Sequence, residues 1–396
     1  MDFDFTEEQL MLKASVDKFL EKTYSFGARN AIIATRAGYS PDIWKGFAEL
    51  GLLGLPVPQD RDGFGGGGVE TMVVMEAFGR HLVVEPYLGT VVMAASLIAT
   101  VGSDDQKQYL LPLIMDGTMK LACGFLEAAG RYDLGHVETT ARQEPNGAWI
   151  ISGRKSVVIH GAVADLLIIS ARTSGKAGDA DGVSLFFVNP AEPGVSGLEY
   201  PTYDGMRAAE VTFENVQVNS DSLIGVAGRS LPVVELVADR AIAALCAEAV
   251  GAMTTLKDAT LEYLKTRRQF GVPIGRFQAL QHRMVDLLMH CEQARSMAML
   301  AAMKVDSTDV VERRRAVSGA KELIGRSGRF VAQQAIQLHG GMGMTNELNV
   351  SHYVKRITAI DTLFGDADHH LDRFHAAAAA LPLPSFEKPR SKWKQI

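Results

Sequence analysis

Two short segments in the second half of the chain combine glycine with cationic and amide side chains. The first holds Arg267, Gln269, Phe270 and Gln278, and the second, 70 residues further on (337 − 267), holds Gln337, Gly340 and Gly341. An arginine offers pyrophosphate oxygens a fixed charge and a fork of donors. A glycine pair lets backbone N–H groups approach a ligand without an intervening Cβ. Because glycine at a helix end is often only a C-cap, the segments indicate a phosphate-bearing cofactor only when taken together.

Glu248 is a candidate for proton transfer. It lies in an otherwise apolar run, residues 243–251. Burying a carboxylate in such a stripe is costly unless the group is paired or functional. Glu248 is therefore either a catalytic base or one partner of a helix–helix ion pair. The pair His369-His370 lacks a third ligand at a spacing suited to metal binding, so no metal site is predicted.

Composition narrows the class of protein. A length of 396 residues favours two or three domains, and 47% hydrophobic with 22% charged residues is typical of an ordered soluble protein. A net charge of −6 without a long Lys/Arg stripe argues against nucleic acid as the main partner. The three cysteines are far apart in the sequence, which predicts reduced thiols rather than disulfides.

We expect a cytoplasmic protein that does not enter a membrane. No signal peptide is visible, and the longest apolar run, residues 88–101, is shorter than the roughly 20 residues that span a bilayer.

Three segments with different hydrophobic periodicity follow one another. Residues 1–120 alternate helical patterns with glycine breaks, and the four glycines at 65–68 predict a loop. Residues 121–225 contain short β-branched runs separated by turn residues, which predicts an antiparallel β-domain, either a sandwich or a barrel. Long helical patterns return over 226–380, where we expect a four-helix bundle. Residues 381–396 form a proline-containing basic tail.

This order of segments, together with the two glycine-containing motifs, resembles the acyl-CoA dehydrogenase family over nearly the full length of the chain. Residues 44–57, Gly153-Arg154-Lys155 and the stretch leading from Tyr263 to Arg267 add to the likeness. The resemblance implies an α+β fold with an N-terminal helical domain, a middle antiparallel β-domain and a C-terminal helical bundle. It also implies an FAD enzyme, usually a tetramer. Such enzymes remove hydrogens from Cα and Cβ of an acyl-CoA thioester and pass the electrons to an electron-transfer flavoprotein.

By the same resemblance, seven residues would bind FAD, most of them through the ADP half of a cofactor held mainly by a neighbouring subunit. They are Arg267, Gln269, Phe270, Gln278, Gln337, Gly340 and Gly341. The reaction also needs a carboxylate for the α-proton and donors for the thioester oxygen.

The carboxylate is where this chain departs from the family. Gly365 takes the place of the usual catalytic glutamate, and Ala241 takes the alternative position. Neither residue can accept a proton. Glu248 lies two helical turns after Ala241 on nearly the same face, which makes it our candidate for the base. Asp366 and Asp368 are weaker candidates, because each lies past the aligned position and has a shorter reach.

The part of the β-domain that would hold the flavin ring departs as well. Leu126 and Tyr132 replace hydroxyl residues of the family's flavin loop, and Val157-Val158-Ile159 replaces the Trp-x-Thr that packs against the ring. We therefore hypothesise one subunit of a heteromer whose partner holds the ring, similar to pimeloyl-CoA dehydrogenase small subunits and the paired dehydrogenases of steroid side-chain degradation. The alternatives are a homotetramer with an altered flavin loop, a non-catalytic partner that completes a neighbour's FAD site, and a flavin monooxygenase or oxidase.

Two further expectations concern charge and space. Asp239-Arg240 should either form an exposed helix pair, which we favour, or face the acyl pocket. Residues 312–315 should form a solvated helix face. Small residues at Gly251, Ala252 and Ala95 should leave room for a bulky acyl group.

Overall fold

A computed structural model describes residues 5–379, and its first part is helical. The helices are α1 (Glu7–Thr23), α2 (Phe26–Ala34), α3 (Pro41–Glu49), α4 (Gly68–His81), α5 (Ser96–Val101) and α6 (Asp104–Met115). A π-helix, Leu88–Ala95, runs directly into α5. Thr6 starts α1, because its hydroxyl accepts a hydrogen bond from the Gln9 N–H while the Gln9 side chain accepts one from the Thr6 N–H. The glycines from Gly63 to Gly67 lie in the predicted loop, whereas Gly68 begins α4.

A buried carboxylate ties together the elements of this helical part. Glu85 is 3% exposed and accepts hydrogen bonds from the Tyr24 hydroxyl at 2.8 Å and the Val84 N–H at 3.2 Å. It also accepts one from the N–H of Ser40, the residue that caps α3. Since Tyr24 ends α1, Glu85 joins both helices to the segment before the π-helix. Burial raises the pKa of Glu85 to about 7, although these hydrogen bonds oppose the shift.

Glu85 should make the protein lose stability as the pH rises. A carboxyl group whose pKa is raised from 4.5 to about 7 on folding contributes stability fully below pH 4.5 and loses it as the pH passes 7. Glu85→Gln is permanently neutral, so it should gain on the wild type by on the order of 2–3 kcal/mol between about pH 5 and about pH 8. Denaturant unfolding at both pH values measures this gain, with the exposed Glu49→Gln as the control. A gain that is the same at both pH values would contradict the prediction.

The middle part is a β-domain built on one sheet. Its strands are β1 (Leu121–Gly124), β2 (Thr140–Gln143), β3 (Trp149–Ile159), β4 (Leu166–Arg172), β5 (Val183–Val188), β6 (Val195–Pro201), β7 (Arg207–Val218) and β8 (Leu223–Ile224). The order is β6-β7-β3-β2-β4-β5-β8, with β1 also paired to β4. Pairing is antiparallel, except that β1 and β2 run parallel to β4. Side chains alternate along β4, so Leu167 and Ile169 pack inside the β-domain while Ile168 packs against the helices.

The C-terminal part is a helical bundle. It contains α7 (Leu231–Thr266), α8 (Gln278–Lys304), α9 (Val310–His339), α10 (Asn349–Thr362) and α11 (Ala367–Ala379). The described range thus has five helices here rather than the expected four, and α9 contacts each of the others. A hairpin of β9 (Arg268–Gln269) and β10 (Val272–Pro273) lies between α7 and α8. The tail at 381–396 lies outside the described residues, and within those residues no helix has the length and apolar character to cross a membrane.

Helices α4 and α7 cross at very short range. A Cβ at Gly79 would lie 1.9 Å from the carbonyl oxygen of Glu248, and a Cβ at Gly251 would lie 2.0 Å from that of Glu76. Glycine at both positions lets the two backbones touch. The expectation that Gly251 leaves room for an acyl group is therefore wrong, because the neighbouring helix fills that space.

Candidate functional site

The two segments that the sequence predicts to bind the cofactor lie at the same end of the C-terminal bundle. Arg267 follows the last residue of α7, and Gly340 follows the last residue of α9. The ring of Tyr263, four residues before Arg267, stacks on the ring of His339, with centroids 4.4 Å apart. Segments that are 70 residues apart in the sequence (337 − 267) therefore meet across one aromatic contact.

The segment after Arg267 folds into a hairpin that displays an aromatic ring. Phe270 and Gly271 form the two-residue loop between β9 and β10, with φ values of 54° and 81°. Positive φ at both positions is typical of a type I′ turn but unfavourable for phenylalanine. Phe270 is also 90% exposed. A bulky residue held in this conformation at the surface indicates a binding role.

The chemistry at this end of the bundle fits the dinucleotide half of FAD. All seven residues named from the sequence are exposed: Arg267, Gln269, Phe270, Gln278, Gln337, Gly340 and Gly341. Beyond the adjoining backbone, no heavy atom of the described residues lies within 4 Å of the place that a Cβ at Gly340 or Gly341 would take. Their backbone is thus open to a ligand, and the guanidinium of Arg267 adds the positive charge that a pyrophosphate requires.

Glu248 lies in a buried ion pair, about 28 Å along α7 from Arg267 by the helical rise. Arg356 on α10 donates two hydrogen bonds to it, Nε to Oε1 at 2.6 Å and Nη2 to Oε2 at 2.7 Å. Nη1 of Arg356 donates to Asp204 Oδ2 at 2.8 Å, and Arg29 donates to the Asp204 carbonyl at 2.7 Å. The cluster therefore joins α2, the β-domain, α7 and α10. Because a guanidinium engages both carboxylate oxygens, the geometry favours the ion pair over the base for Glu248.

The charges around Asp239 are buried rather than solvated. Asp239 is 0% exposed and pairs with Arg313 at 2.9 Å and Arg373 at 2.7 Å, whereas Arg240 pairs with Asp306 at 2.8 Å. The expected Asp239–Arg240 pair is wrong, because consecutive residues of a helix point in different directions. The expectation of a solvated face at 312–315 is wrong for Arg313, which is 6% exposed.

A cleft of about 290 Å³ separates the β-domain from the C-terminal bundle. Its walls are the loop at 132–135, the first turns of α7, and α11 with the turn before it. The side chains that could do chemistry there are Tyr132, Asp133, Glu235, His369, His370 and Arg373. Sequence reasoning considered the two histidines only as metal ligands and missed Glu235 and Arg373, since no local pattern marks them.

The space beside Gly365, the position that the resemblance assigns to the family's glutamate, is filled. Its φ is 116°, and a Cβ there would lie 2.4 Å from His369 Cδ2 and 2.8 Å from His370 Nε2. His370 is fully buried with partners for both ring nitrogens. Burial, assisted by the charge of Lys321, lowers the pKa of His370 to about 2, so its ring is neutral. Two imidazoles therefore occupy the space that a glutamate at this position would need.

The β-domain residues at the positions that the family resemblance assigns to the flavin ring suit such a ring poorly. Tyr132 faces His369, with ring centroids 5.2 Å apart. Val157 is 38% exposed and has a φ of 51°, which is strained for a β-branched residue, at a break in the register of β3 with β7. Neither Val157 nor Leu126 has a side-chain donor for the oxygens and nitrogens of the ring. The chain therefore offers fewer suitable contacts to the flavin ring than to the dinucleotide half of the cofactor.

Comparison with known families covers all three parts of the chain. Models of the N-terminal, middle and C-terminal domains of acyl-CoA dehydrogenases match residues 6–118, 122–216 and 233–379. The chain is 29% identical to the probable acyl-CoA dehydrogenase YngJ of Bacillus subtilis (strain 168), over 90% of this chain and 93% of the relative.

Solved structures agree with this assignment. A variant of the Tcur3481-Tcur3483 steroid ACAD is 29% identical, with a TM-score of 0.84 over 94% of this chain and 98% of the other. The ChsE4-ChsE5 complex from Mycobacterium tuberculosis shares the fold, with a TM-score of 0.86 at 24% identity over 96% of this chain and 100% of the other. The three matched domains, in this order and with this fold, establish that the chain belongs to the acyl-CoA dehydrogenase family of FAD-dependent oxidoreductases.

Proposed function

We propose that the chain is one subunit of a heteromeric acyl-CoA dehydrogenase and that it binds the ADP half of a shared FAD. The observation that carries this proposal is a contrast within the molecule. The exposed donors around Arg267 and Gly340 fit a dinucleotide, whereas Leu126, Tyr132 and Val157 do not fit a flavin ring. Bound FAD supplies a hydride acceptor for Cβ of the acyl group. The role of this chain is to bind the pyrophosphate through the charge of Arg267 and through backbone N–H groups.

In this proposal, the proton acceptor for Cα comes from the partner subunit. Among the described residues, the carboxylates beside the cleft are already engaged. Glu235 pairs with Arg314 at 2.5 Å, and Asp133 accepts a backbone N–H of its own loop at 2.9 Å. Asp366, a candidate base from the sequence, accepts a backbone N–H at the start of α11 at 2.9 Å. A carboxylate able to take the proton that the thioester acidifies is therefore expected on the related subunit.

Two similar structures support an assembly of two different chains. Each is named for two different proteins, Tcur3481 with Tcur3483 and ChsE4 with ChsE5. By analogy, the partner of this chain is a second member of the same family, with an intact flavin loop and a catalytic glutamate.

An apolar groove of about 590 Å³ beside the hairpin offers this partner a surface. Its apolar lining consists of Leu261, Leu264, Pro273, Met284, Val285 and Leu288. Val285 and Leu288 are 54% and 44% exposed. An exposed apolar surface of this kind, next to the cofactor-binding residues, is typical of a subunit interface.

A charge placed in this groove should disrupt assembly. Val285→Asp would bury an unpaired carboxylate against the partner, which costs several kcal/mol and should weaken association by about a hundredfold or more. Size-exclusion chromatography with light scattering measures the assembled fraction. Val310→Asp, at a 41% exposed position at the start of α9 and outside the groove, is the matched control and should assemble normally. Normal assembly of Val285→Asp would place the interface elsewhere.

Turnover of a panel of acyl-CoA thioesters tests the proposed function. The chain is assayed alone and after co-purification with a related subunit, with electron-transfer flavoprotein as the acceptor. We expect 2-enoyl-CoA from the pair and none from the chain alone. Straight, branched and steroid-type acyl groups report the acyl preference. A flavin-containing pair that dehydrogenates none of these thioesters would refute the proposal.

A purely non-catalytic partner is the second candidate function, and the packing of Tyr132 and His369 in the cleft favours it. Both functions place this chain at the cofactor, and they differ only in whether its own cleft takes part in turnover. His369→Ala in the assembled enzyme tests that difference. Unchanged kcat and KM would leave this chain only its role at the cofactor, and a lower kcat would show that its cleft contributes.

A further inference from the structure

The rings of Tyr263 and His339 lie between the two segments assigned to FAD. Their centroids are 4.4 Å apart and their planes are inclined by 29°, a stacked arrangement. The carbonyl of Tyr263 accepts the hydrogen bond of the Arg267 N–H at 2.8 Å, so Tyr263 belongs to the last turn of α7. His339 is the last residue of α9 and directly precedes Gly340.

His339 is also held on its other sides. It is 5% exposed, and its Nδ1 lies 2.8 Å from the carbonyl oxygen of Ala335, which can only accept a hydrogen bond. Burial lowers the pKa of His339, which favours a neutral ring. The following turn folds back on the same residue, because a Cβ at Gly343 would lie 3.0 Å from His339 Cβ. The position of the Gly340 and Gly341 N–H groups therefore depends on the position of His339.

We infer that Tyr263 and His339 are positioning residues for FAD, because their stack joins the end of α7 that carries Arg267 to the end of α9 that carries Gly340 and Gly341. This inference rests on the proposed function, since it assumes that these segments bind the ADP half. A pyrophosphate must reach both donor sets at once, and a hydrogen bond is lost beyond about 3.5 Å. A small displacement of the end of α9 relative to α7 would thus remove part of the cofactor's contacts.

The test is the FAD affinity of the flavin-depleted full-length protein in its assembly, measured by fluorescence titration with FAD. Tyr263→Ala should raise Kd about tenfold by releasing the stack. Tyr263→Phe keeps the ring and should stay within about twofold of the wild type. At saturating FAD, kcat of Tyr263→Ala should match the wild type, because the pair acts on cofactor position and touches no reacting atom.

The chain supplies a matched control in a second stack of the same geometry. His290 on α8 and Phe330 on α9 have centroids 4.3 Å apart and planes inclined by 31°. Phe330 lies nine residues before His339 (339 − 330), about 14 Å along α9. Phe330→Ala should leave Kd for FAD within about twofold of the wild type. Equal weakening by both alanine variants, or none by Tyr263→Ala, would overturn the inference, whereas a wild-type assembly that binds no FAD would overturn the proposed function instead.

Discussion

Replacement of Arg356 by methionine is expected to lower the free energy of unfolding by about 3–5 kcal/mol. Arg356 is 4% exposed and neutralises two buried carboxylates, Glu248 and Asp204. Methionine fills a similar volume but removes the guanidinium that the two buried carboxylates share. Since the cluster joins elements from all three parts of the chain, the loss should affect the cooperative unfolding of the whole molecule. Denaturant unfolding followed by circular dichroism measures the change.

Two variants control for simple loss of an arginine or of a charge. Arg154→Ala removes the arginine of an exposed pair with Glu210, and should cost at most about 1 kcal/mol. Adding Glu248→Gln to Arg356→Met removes one of the unpaired charges and should restore part of the stability. If Arg356→Met were as stable as Arg154→Ala, the cluster would not be the structural ion pair that the geometry indicates.

The second large effect is expected at the cofactor. Arg267→Ala should weaken FAD binding by about 10- to 100-fold, because a hydrogen bond to a charged group contributes about 1.5–3 kcal/mol. Arg267 is exposed at the end of α7, so its removal should leave the fold intact. Titration of the flavin-depleted assembly with FAD measures the affinity, and thermal unfolding of the same samples reports the fold.

Arg326 is the matched control for this substitution. It is also an exposed arginine of the C-terminal bundle, on α9, where it pairs with Glu322. Arg326→Ala removes the same charge at a distance from Gly340 and should bind FAD like the wild type. Equal affinities of Arg267→Ala and wild type would show that the phosphates bind elsewhere.

The sequence predicts a cofactor-binding end of the molecule because the signals for it are local. Arg267 and Gly340 each end a long helix, and glycine beside a cation is visible without knowledge of the fold. That the two ends meet follows from the topology of a bundle, but the stack of Tyr263 on His339 does not. A contact between residues 76 positions apart (339 − 263) leaves no pattern in one sequence.

Buried charge shows the limit of sequence reasoning more clearly. The apolar run around Glu248 indicated a buried carboxylate, which is correct, but its partner Arg356 lies 108 residues away (356 − 248). Asp239 was misassigned to Arg240 for the same reason, since its partners come from α9 and α11. A helical pattern shows which face is buried, whereas the choice between a base and an ion pair depends on the helix that covers that face.

For the cleft, the sequence predicts only the absence of the usual carboxylates and not the side chains that line it. By the resemblance, Gly365 and Ala241 stand where the family has its carboxylates. That His369 and His370 fill the space at Gly365 depends on its positive φ and on the fold of the turn into α11, which no motif encodes.

The flavin content of the purified chain tests most directly whether two different subunits share the coenzyme. Released flavin, quantified by absorbance, is compared with protein concentration for the chain produced alone and for the chain co-purified with a related subunit. We expect little flavin in the first sample and one FAD for each pair of chains in the second. A yellow protein with one flavin per chain from the first sample would contradict it, because assemblies of this chain alone would then hold both halves of the molecule.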